Sequence, residues 1–331
     1  MDILRLSSQQ QQILGTLELQ AATPIGSLAR KLRLREHTLR YQLDSFLAQG
    51  LVRKRAFINV YPLGLQDHAI YFSLSASSES AKQKFVEYLK KSEKVSWLSQ
   101  LGGDYQYGFS VCAPRLSDVV AFLDDLSNKF PDVFFDKALS IRVSLAYFGR
   151  KYLGKRPEPA QSFKFGDGPS RITIDELDHR ILCDLENEPI RSDRELARRL
   201  DIPHSTVALR LRALAKAGIL GGYVYDIDAS RFGMQRFNLL VFSKGFDAVF
   251  AKQLKDFAEQ HPQIIHFVRC LGSWDFELGV EVVNGQAVSP ILEELYRRFG
   301  SKLNTVKILP HFGNLKLRNY PFLKFKSLAE H

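Results

Sequence analysis

Basic side chains and small hydroxyl side chains concentrate in two separate stretches of the chain. Between Leu28 and Arg55, eight arginine and lysine residues stand against two acids. A second stretch, residues 192–212, is again rich in arginine and contains Ser205 and Thr206. A guanidinium group binds phosphate and pairs with guanine through two hydrogen bonds, while hydroxyl groups contact either partner. These residue types favour recognition of a polyanion over the making or breaking of covalent bonds.

Groupings typical of catalysis or metal binding do not stand out in the sequence. Cys112, Cys183 and Cys270 lie far apart and form no CxxC pair, which argues against a disulfide scaffold and against a zinc site. The paired acids at 124–125 and 293–294 are interpreted as solvated faces of amphipathic helices. We expect no catalytic residues, no metal site and no cofactor.

Length and charge limit the classes of protein to which the chain can belong. The 331 residues suffice for two to four compact domains, and the net charge of +10 attracts polyanions, although a well-solvated basic surface gives the same total. The longest apolar runs, such as Val119–Leu123, are too short to cross a bilayer, and the amino terminus lacks a signal-peptide core. We expect a cytoplasmic protein without a membrane partner.

The two basic stretches belong to a tandem duplication. Leu28–Leu32 recurs as Leu196–Leu200, 168 residues later, and the same offset pairs Gly50 with Gly218. Between the copies lies a stretch rich in proline and glycine, which is typical of an exposed linker. The chain therefore has the order A-B-A′-B′.

Each A unit has the pattern of three short helices. In the second copy, capping boxes at Thr173–Glu176 and Ser192–Glu195 open two helices, and a third begins near Pro203 and stops at Gly218. The strand expected over Ile219–Tyr225 is interpreted as one side of a wing. Three helices with a tight turn between the last two predict a winged helix-turn-helix, whose last helix enters the major groove of DNA.

The residues expected to contact DNA lie on the second and third helices and on the following strand of each copy. They are Arg30, Arg33, Arg35, His37, Thr38, Arg40, Arg53, Lys54 and Arg55, and then Arg194, Arg198, His204, Ser205, Thr206, Arg210 and Arg212. Arg40 and Arg210 are expected to read bases, and the triplet 53–55 to contact the phosphate backbone. A single surface arginine more often only solvates a helix, but both copies concentrate charge on the same helices.

Each B unit has the order β-α-β-β-α-β, which is ferredoxin-like. The last strand is predicted over Leu139–Leu145 in the first copy and over Thr305–Leu309 in the second. Helices cover one face of so small a sheet, so the other face or an edge must pair, and the second copy is the obvious partner. The fold class is therefore α+β, with two winged helix-turn-helix domains alternating with two ferredoxin-like domains. The predicted domains are 1–62 and 63–154, a linker at 155–170, then 171–230, 231–320 and a tail at 321–331.

The loop between the two central strands of each B unit combines glycine with an acid. The loops are Gly102-Gly103-Asp104 and Gly272-Ser273-Trp274-Asp275. A glycine lets a backbone N–H approach a carboxylate, and the acid suits an ammonium group, so Gly102, Asp104, Gly272, Ser273, Trp274 and Asp275 are candidates for binding an amino acid. The alternative is that these are simply tight hairpin turns, because glycine and aspartate are common in turns.

The second copy resembles the Lrp/AsnC (leucine-responsive regulator) family. The likeness rests on motifs in matching order: Leu196-Ala197, Ser205-Thr206-Val207, Arg210, Leu214, Ala217 to Tyr223, Asp226-Ile227-Asp228, Phe232-Gly233 and the 272–275 loop. The first copy has the same layout, but Gln42 stands where the second has Arg210. The resemblance implies a sequence-specific DNA-binding transcriptional regulator whose sensing domains pair, assemble into oligomers and bind small effectors, usually amino acids.

One chain then resembles a covalent dimer of unequal halves. We expect the two B units to pair within the chain, double-stranded DNA and a small-molecule effector as partners, and a homo-oligomer built on this pseudo-dimer. A related alternative is a sensor or architectural protein whose first helix-turn-helix no longer reads DNA.

An enzyme is the runner-up interpretation. Sirohaem decarboxylases resemble this family in fold, are sometimes fused in pairs and use a histidine in the B unit. His266 lies near the expected place, whereas the first copy has Ser96 or Trp97 there, and the Trp-Pro-Tyr-Asn stretch expected of those enzymes is missing. A lone histidine on a strand is more often a partly buried polar residue, so the expectation is a regulator and not an enzyme.

Overall fold

The computed structural model describes residues 3–75, 78–131, 133–154, 162–166, 171–187, 192–245 and 247–322. Its helices are α1 Ser8–Leu17, α2 Ile25–Leu32, α3 Glu36–Ala48, α4 Glu79–Lys91, α5 Leu116–Lys129, α6 Glu176–Asn187, α7 Asp193–Leu200, α8 His204–Lys216, α9 Ala248–Gln260 and α10 Ser289–Phe299. Its strands are β1 Val52–Ile58, β2 Gln66–Leu74, β3 Val95–Leu101, β4 Tyr107–Ala113, β5 Phe134–Tyr147, β6 Phe163–Gly166, β7 Leu220–Ile227, β8 Gln235–Ser243, β9 Ile264–Gly272, β10 Phe276–Val282 and β11 Leu303–Leu317.

The helix-turn-helix plan is confirmed in both copies, as α1–α3 and α6–α8. Ser192 caps α7 by accepting a hydrogen bond from the Glu195 amide, as the sequence predicts. The capping box expected at Thr173–Glu176 is corrected: α6 begins at Glu176, and the Asp175 carboxylate accepts from the Asp178 amide. The cap therefore sits next to the first helical residue.

The strand after each helix-turn-helix pairs with its counterpart in the other copy. The expected wing is corrected in this respect, because β1 runs antiparallel to β7 over seven residue pairs. Arg55 lies opposite Val224 and Ala56 opposite Tyr223, while the 168-residue offset makes Arg55 the equivalent of Tyr223. The ribbon is therefore symmetric about its midpoint, and a local twofold axis relates the two copies there.

The two B units close into one barrel. Strand order is β2-β4-β3-β11-β8-β10-β9-β5, β5 returns to pair with β2, and β6 adds to β5. The neighbours run antiparallel. The expected pairing of the B units within the chain is confirmed. Closure leaves none of the eight barrel strands with a free edge.

The last strand of each B unit is much longer than the sequence pattern indicated. Strands were expected over Leu139–Leu145 and Thr305–Leu309, whereas β5 spans 14 residues and β11 spans 15. The first part of β5 pairs with β2 of its own copy and the later part with β9 of the other; β11 likewise pairs with β8 and then β3. These two strands join the copies.

Separate apolar cores lie on the outside and the inside of the barrel. Helices α4 and α5 cover one half and α9 and α10 the other, each over a cluster of buried aliphatic and phenylalanine side chains. One end of the interior is filled by a smaller cluster around Tyr71, Trp97 and Trp274. Tyr71 and Trp274 contact edge to face with ring centroids 4.7 Å apart, which joins the copies through an aromatic pair.

The expected linker is partly ordered on the barrel. Residues 162–166 include β6, which places Phe163 and Phe165 against Phe57 of the β1–β7 ribbon, with the Phe57 and Phe165 rings stacked at 4.0 Å. The rest of the segment, and the tail beyond residue 322, lie outside the described residues. Within the described part of the chain, no helix combines the length and apolarity needed to cross a membrane.

Candidate nucleic-acid interface and central cavity

The third helix of the first copy exposes the polar side chains expected at DNA. Arg35 and His37 are exposed at its start, Thr38 is half-buried, and Arg40 is exposed one turn later. Arg40 forms an ion pair with Glu36, Nη2 to Oε1 2.7 Å, in which both side chains are more than half exposed. Such an exposed pair contributes little to stability, so Arg40 can exchange Glu36 for a phosphate.

The third helix of the second copy presents a similar face. His204, Ser205 and Arg212 are exposed on α8, and Thr206 is half-buried. The preceding helices add the exposed side chains Arg30, Arg194 and Arg198, and Arg33 is exposed in the turn after α2. The structure therefore brings most of the expected contacts onto solvent-facing surfaces of the two helix-turn-helix units. These units, α1–α3 and α6–α8, are called the first and second readers below.

An apolar position on this face was missed by the sequence reasoning. Tyr41 is 71% exposed on α3, and Leu209, its equivalent in the second copy, is 60% exposed on α8. An exposed large apolar side chain amid polar neighbours fits contact with the methyl group of thymine. The 168-residue offset supplied the signal, because it places two unburied apolar residues at the same helical position.

Arg210 makes contacts within the protein. It lies between helices, with Nη1 2.7 Å from Asp175 Oδ2 and 3.3 Å from Asp178 Oδ2. Its equivalent Gln42 accepts a hydrogen bond from Gln10 of α1. In both copies this position ties the third helix to the first, which gives Arg210 a structural role beside the base contact that the sequence predicts.

The basic triplet after α3 is also engaged within the protein. Arg55 pairs with Glu186 at 3.1 Å and donates to the Leu317 carbonyl, and its side chain is only 14% exposed. Lys54 lies over the Tyr223 ring, and burial lowers its pKa. Arg53 is exposed but donates to the Asn187 carbonyl. The expected phosphate contact is corrected for Arg55 and Lys54, because the ribbon that carries them packs between the two copies.

The polar groups of the two B-unit loops have partners inside the protein. Asp275 Oδ2 accepts from the Ser243 amide and hydroxyl, while Trp274 is buried and donates to Glu277. Asp104 pairs with Lys307 at 2.6 Å, and Gly102 lies against Phe312. Gly272 and Ser273 are exposed, and the Ser273 amide donates to the Leu139 carbonyl. Gly272 has φ of +138°, which suits a turn. The turn interpretation accounts for these contacts.

A cavity of about 220 Å³ lies where the barrel interior meets the β1–β7 ribbon. Its walls come from both copies and carry charged and polar side chains among apolar ones. The side chains that give it this character are Arg55, Tyr61, Asp67, Trp97, Arg142, Tyr147, Arg150, Asp226, Arg236, Asn238, His266, Glu277, Asn314 and Arg318. The arrangement can bind a polar small molecule.

Arg142 and Arg150 are held by carboxylates on both sides. Arg142 pairs with Asp67 at 3.0 Å and with Glu277 at 3.4 Å, and stacks over the Trp97 ring. Arg150, 4% exposed, pairs with Glu18 at 2.7 Å and with Glu281 at 2.8 Å. Glu18 follows α1, whereas Glu281 lies on β10. Arg150 therefore links the first reader to the barrel of the second copy.

Arg236 lacks such a partner. Within the described residues, no carboxylate lies at ion-pair distance from it, its Nε is buried without a hydrogen-bond partner, and burial lowers its pKa. Its Nη2 donates to His266 Nδ1 at 3.4 Å. The opposite residue on β10 is Glu281, whose two oxygens are taken by Arg150. Arg236 is half-buried, and a cation without a carboxylate partner at a polar cavity is typical of a site that awaits an anion.

Two histidines near Arg236 are held neutral. Burial, followed by the Arg236 charge, takes the pKa of His266 well below its usual value, and the same two causes lower the pKa of His311 to about 3. Because Arg236 donates to Nδ1 of His266, the proton of that ring is assigned to Nε2. His311 contacts Ser99 and Asn314.

Apart from Arg55, the charged residues of the cavity were not singled out from the sequence. Arg142, Arg236 and Asn238 stand at inward positions of strands that were recognised by their apolar neighbours, and alternation alone cannot show whether the inward face meets a core or a cavity. The available signal was a charged residue inside an apolar strand pattern. Within the residues that the structure describes, no cluster of three or more metal-ligating side chains is present.

Comparison with known proteins supports the DNA-binding fold. A family model described as winged helix-turn-helix DNA-binding matches residues 174–220. The chain is 23% identical over 125 residues to the HTH-type transcriptional regulator FL11 of Pyrococcus horikoshii, covering 37% of this chain and 80% of that protein. It is 28% identical over 142 residues to an uncharacterised HTH-type transcriptional regulator of the same organism, covering 42% and 87%.

A solved structure matches both copies together. The crystal structure of the siroheme decarboxylase NirDL covers 97% of this chain and 95% of that chain, with a TM-score of 0.60 and 14% sequence identity. At that identity the likeness concerns the fold alone, and it extends over the A-B-A′-B′ order. The chain is thus a tandem duplication with a winged helix-turn-helix DNA-binding domain in its second copy.

Proposed function

We propose that the protein is a sequence-specific DNA-binding transcriptional regulator in which one chain supplies both readers of a pseudo-dimer. The observation that carries the proposal is the β1–β7 ribbon, whose symmetric register relates the two helix-turn-helix units by a local twofold axis. DNA-binding dimers of this kind place two recognition helices in successive major grooves, on half-sites one helical turn or a multiple of it apart. A single chain is then expected to contact two half-sites.

The two readers are not identical, so the half-sites are expected to differ. His37 and Arg40 on α3 correspond to Ser205 and Ala208 on α8, while Arg212 corresponds to Asp44. Different hydrogen-bonding groups at matching helical positions favour different base pairs. We propose an asymmetric operator and modulation by a small effector, with further association of chains into a homo-oligomer.

Selection of bound fragments from a random duplex pool tests this proposal. The expected product is a duplex with two unequal half-sites, bound with an affinity that falls steeply with salt, by roughly 0.9 in log K per log unit of salt for each phosphate neutralised. Arg212→Gln and Arg40→Gln should each weaken binding, whereas Arg297→Gln on the exposed surface of α10 is the matched control. Failure to enrich any duplex, or affinity independent of salt, would overturn it.

A tetrapyrrole decarboxylase is the second candidate. It is favoured by the likeness over both copies to the siroheme decarboxylase NirDL and by the histidine and arginine side chains at the central cavity. The cavity volume of about 220 Å³ is below the roughly 300–1,000 Å³ of pockets for drug-sized ligands, and a tetrapyrrole is no smaller than these. This candidate therefore requires the cavity to open.

Absorbance titration separates the two candidates. The enzyme predicts a saturable shift of the Soret band when an iron tetrapyrrole with carboxylate side chains is added, and His266→Ala should abolish the shift. If the protein is a regulator and not this enzyme, the absorbance of the tetrapyrrole should show no saturable change with the wild-type protein. Decarboxylated product after prolonged incubation would establish the enzyme and displace the regulator as the main function.

A further inference from the structure

We propose that the central cavity is a binding site for a small carboxylate anion that carries no ammonium group, held by Arg236 and His266. The site lies at the junction of the barrel and the β1–β7 ribbon, and it is separate from the 102–104 and 272–275 loops. Its regulatory consequence rests on the proposed DNA-binding function, but anion binding itself does not.

The arrangement of charge selects an anion. Arg142 and Arg150 each face two carboxylates, and Arg55 faces Glu186 and Asp226. Arg236 is left without a carboxylate at ion-pair distance among the described residues, with a buried Nε that has no partner. A guanidinium group takes a carboxylate through two parallel N–H donors, and Arg236, which lines the cavity, can offer such donors to a ligand.

The three carboxylates on the cavity wall argue against a ligand ammonium. Asp67 accepts from Arg142 and from Ser96, and Glu277 accepts from Arg142 and Trp274. Asp226 pairs with Arg55 at 3.6 Å. A ligand ammonium group would have to compete with these arginines for the carboxylates, whereas a ligand carboxylate can pair with Arg236. The chemistry therefore favours a simple organic acid over an amino acid.

His266 supplies a second donor at the same place. With Nδ1 taken by Arg236, its Nε2–H has no hydrogen-bond partner among the described residues, and the ring lines the cavity. The ring can lie there because residue 279, across the strand pair, is glycine: a Cβ would come within 2.0 Å of His266 Cε1. Asn238, which pairs with Gly279 on the other side, also lines the cavity.

The size of the cavity limits the ligand. A volume of about 220 Å³ is below the roughly 300–1,000 Å³ of pockets for drug-sized ligands, which suits a small acid. The ribbon residues Arg55 and Asp226 form part of the wall, and the ribbon joins the two readers. Occupancy is therefore expected to change the affinity for DNA.

Calorimetric titration of the full chain in the absence of DNA tests the site. The probes are acetate, pyruvate and succinate at constant ionic strength, with L-alanine and L-aspartate as their amino counterparts and chloride as the background anion. We expect saturable binding of at least one carboxylate and none of its amino counterpart. The absence of binding for all three acids at about 10 mM, ten times a Kd of about 1 mM, would overturn the proposal, as would equal binding of the amino acids.

Variants locate the binding. Arg236→Gln should abolish it and, because a half-buried cation without a carboxylate partner is removed, should raise the Tm of the unliganded protein by a few degrees. A structural arginine would instead lower the Tm on replacement. Arg297→Gln, on an exposed helix, is the matched control that keeps binding intact. Binding that persists in Arg236→Gln would place the anion elsewhere and contradict the proposal.

A second variant keeps the test decisive if Arg236→Gln fails to fold. Gly279→Ala displaces the His266 ring without removing a charge, so carboxylate affinity should fall at least severalfold while Arg236 remains. Unchanged affinity in Gly279→Ala would remove His266 from the site. If the protein binds a carboxylate but no DNA, the proposed anion site stands. Only the proposed effect of the anion on DNA binding is then contradicted.

Discussion

The imidazole ring of His266 occupies the space above Gly279 on the neighbouring strand. A Cβ at position 279 would lie 2.0 Å from Cε1 and 2.3 Å from Nδ1 of that ring. At the equivalent place in the first copy, Trp97 lies opposite Ser110. The glycine and the histidine therefore form one unit, present in the second copy, and the cavity owes its shape on this side to the pair.

Gly279→Ala should destabilise the protein by about 1–3 kcal/mol, because the ring must move within a packed interior. In a His266→Ala background the sign should reverse, since alanine is favoured over glycine in a strand by about 0.5–1 kcal/mol when nothing obstructs its Cβ. Urea unfolding of the four proteins measures the coupling. Equal effects of Gly279→Ala in both backgrounds would show that the two positions are independent.

The neutral state of His311 should make stability depend on pH. Burial and the Arg236 charge lower its pKa to about 3, whereas an unfolded histidine titrates near 6.5. Below about pH 6.5 the unfolded chain takes up a proton that the folded chain does not, so His311 costs about 1.4 kcal/mol of stability per pH unit as the pH falls toward 3. His311→Gln should reduce the pH dependence of urea unfolding by that slope. Identical slopes for the two proteins would contradict this assignment.

Arg150 should be essential to the joint between the first reader and the barrel. Its replacement by methionine leaves the buried Glu18 without its cationic partner, and the expected loss is about 3–5 kcal/mol. Arg115, whose pair with Asp118 is exposed, provides the control, and Arg115→Met should leave stability unchanged within error. A small effect of Arg150→Met in chemical unfolding would mean that the Glu18 carboxylate becomes protonated at little cost.

Arg210→Ala should lower the stability of the second reader and leave its preference for particular base pairs unchanged. The side chain holds α8 to the start of α6, and exposed or half-exposed ion pairs of this kind contribute roughly 0.2–1 kcal/mol. The ratio of affinities for selected and scrambled duplexes should stay unchanged, whereas Arg212→Ala should lower affinity without lowering the Tm. A lost preference in Arg210→Ala, measured by competition binding, would return that residue to the reading face.

Local patterns were sufficient to predict most of the elements and their order. The stop of α8 at Gly218, with φ of +71°, and the cap at Ser192 follow from residue types that act within one turn. Pairing within the chain also followed, because half-covered sheets and a duplicated partner leave few alternatives. The lengths of β5 and β11 could not be predicted in this way. Each strand crosses to the other copy, and its second half pairs with residues far away in sequence.

The candidate site residues divide in the same way, into those that local patterns predict and those that depend on distant parts of the chain. Exposed residues such as His37 and Arg212 were placed correctly on the third helices, because helical periodicity separates the core face from the solvent face. The structural roles of Arg210 and Arg55 were missed because a charged side chain can also close a gap between elements, and only the structure brings Asp178 and Glu186 next to them. Arg236 was missed for the opposite reason: its lack of a carboxylate is visible only when every neighbouring strand is in place.

Footprinting of the full chain on its selected duplex tests the two-reader account most directly. One chain should protect two half-sites about one helical turn apart or a multiple of it, and Arg40→Gln and Arg212→Gln should each weaken protection at a different half-site. Protection of a single half-site that only Arg212→Gln affects would contradict the account and leave the first reader as a structural or sensing unit.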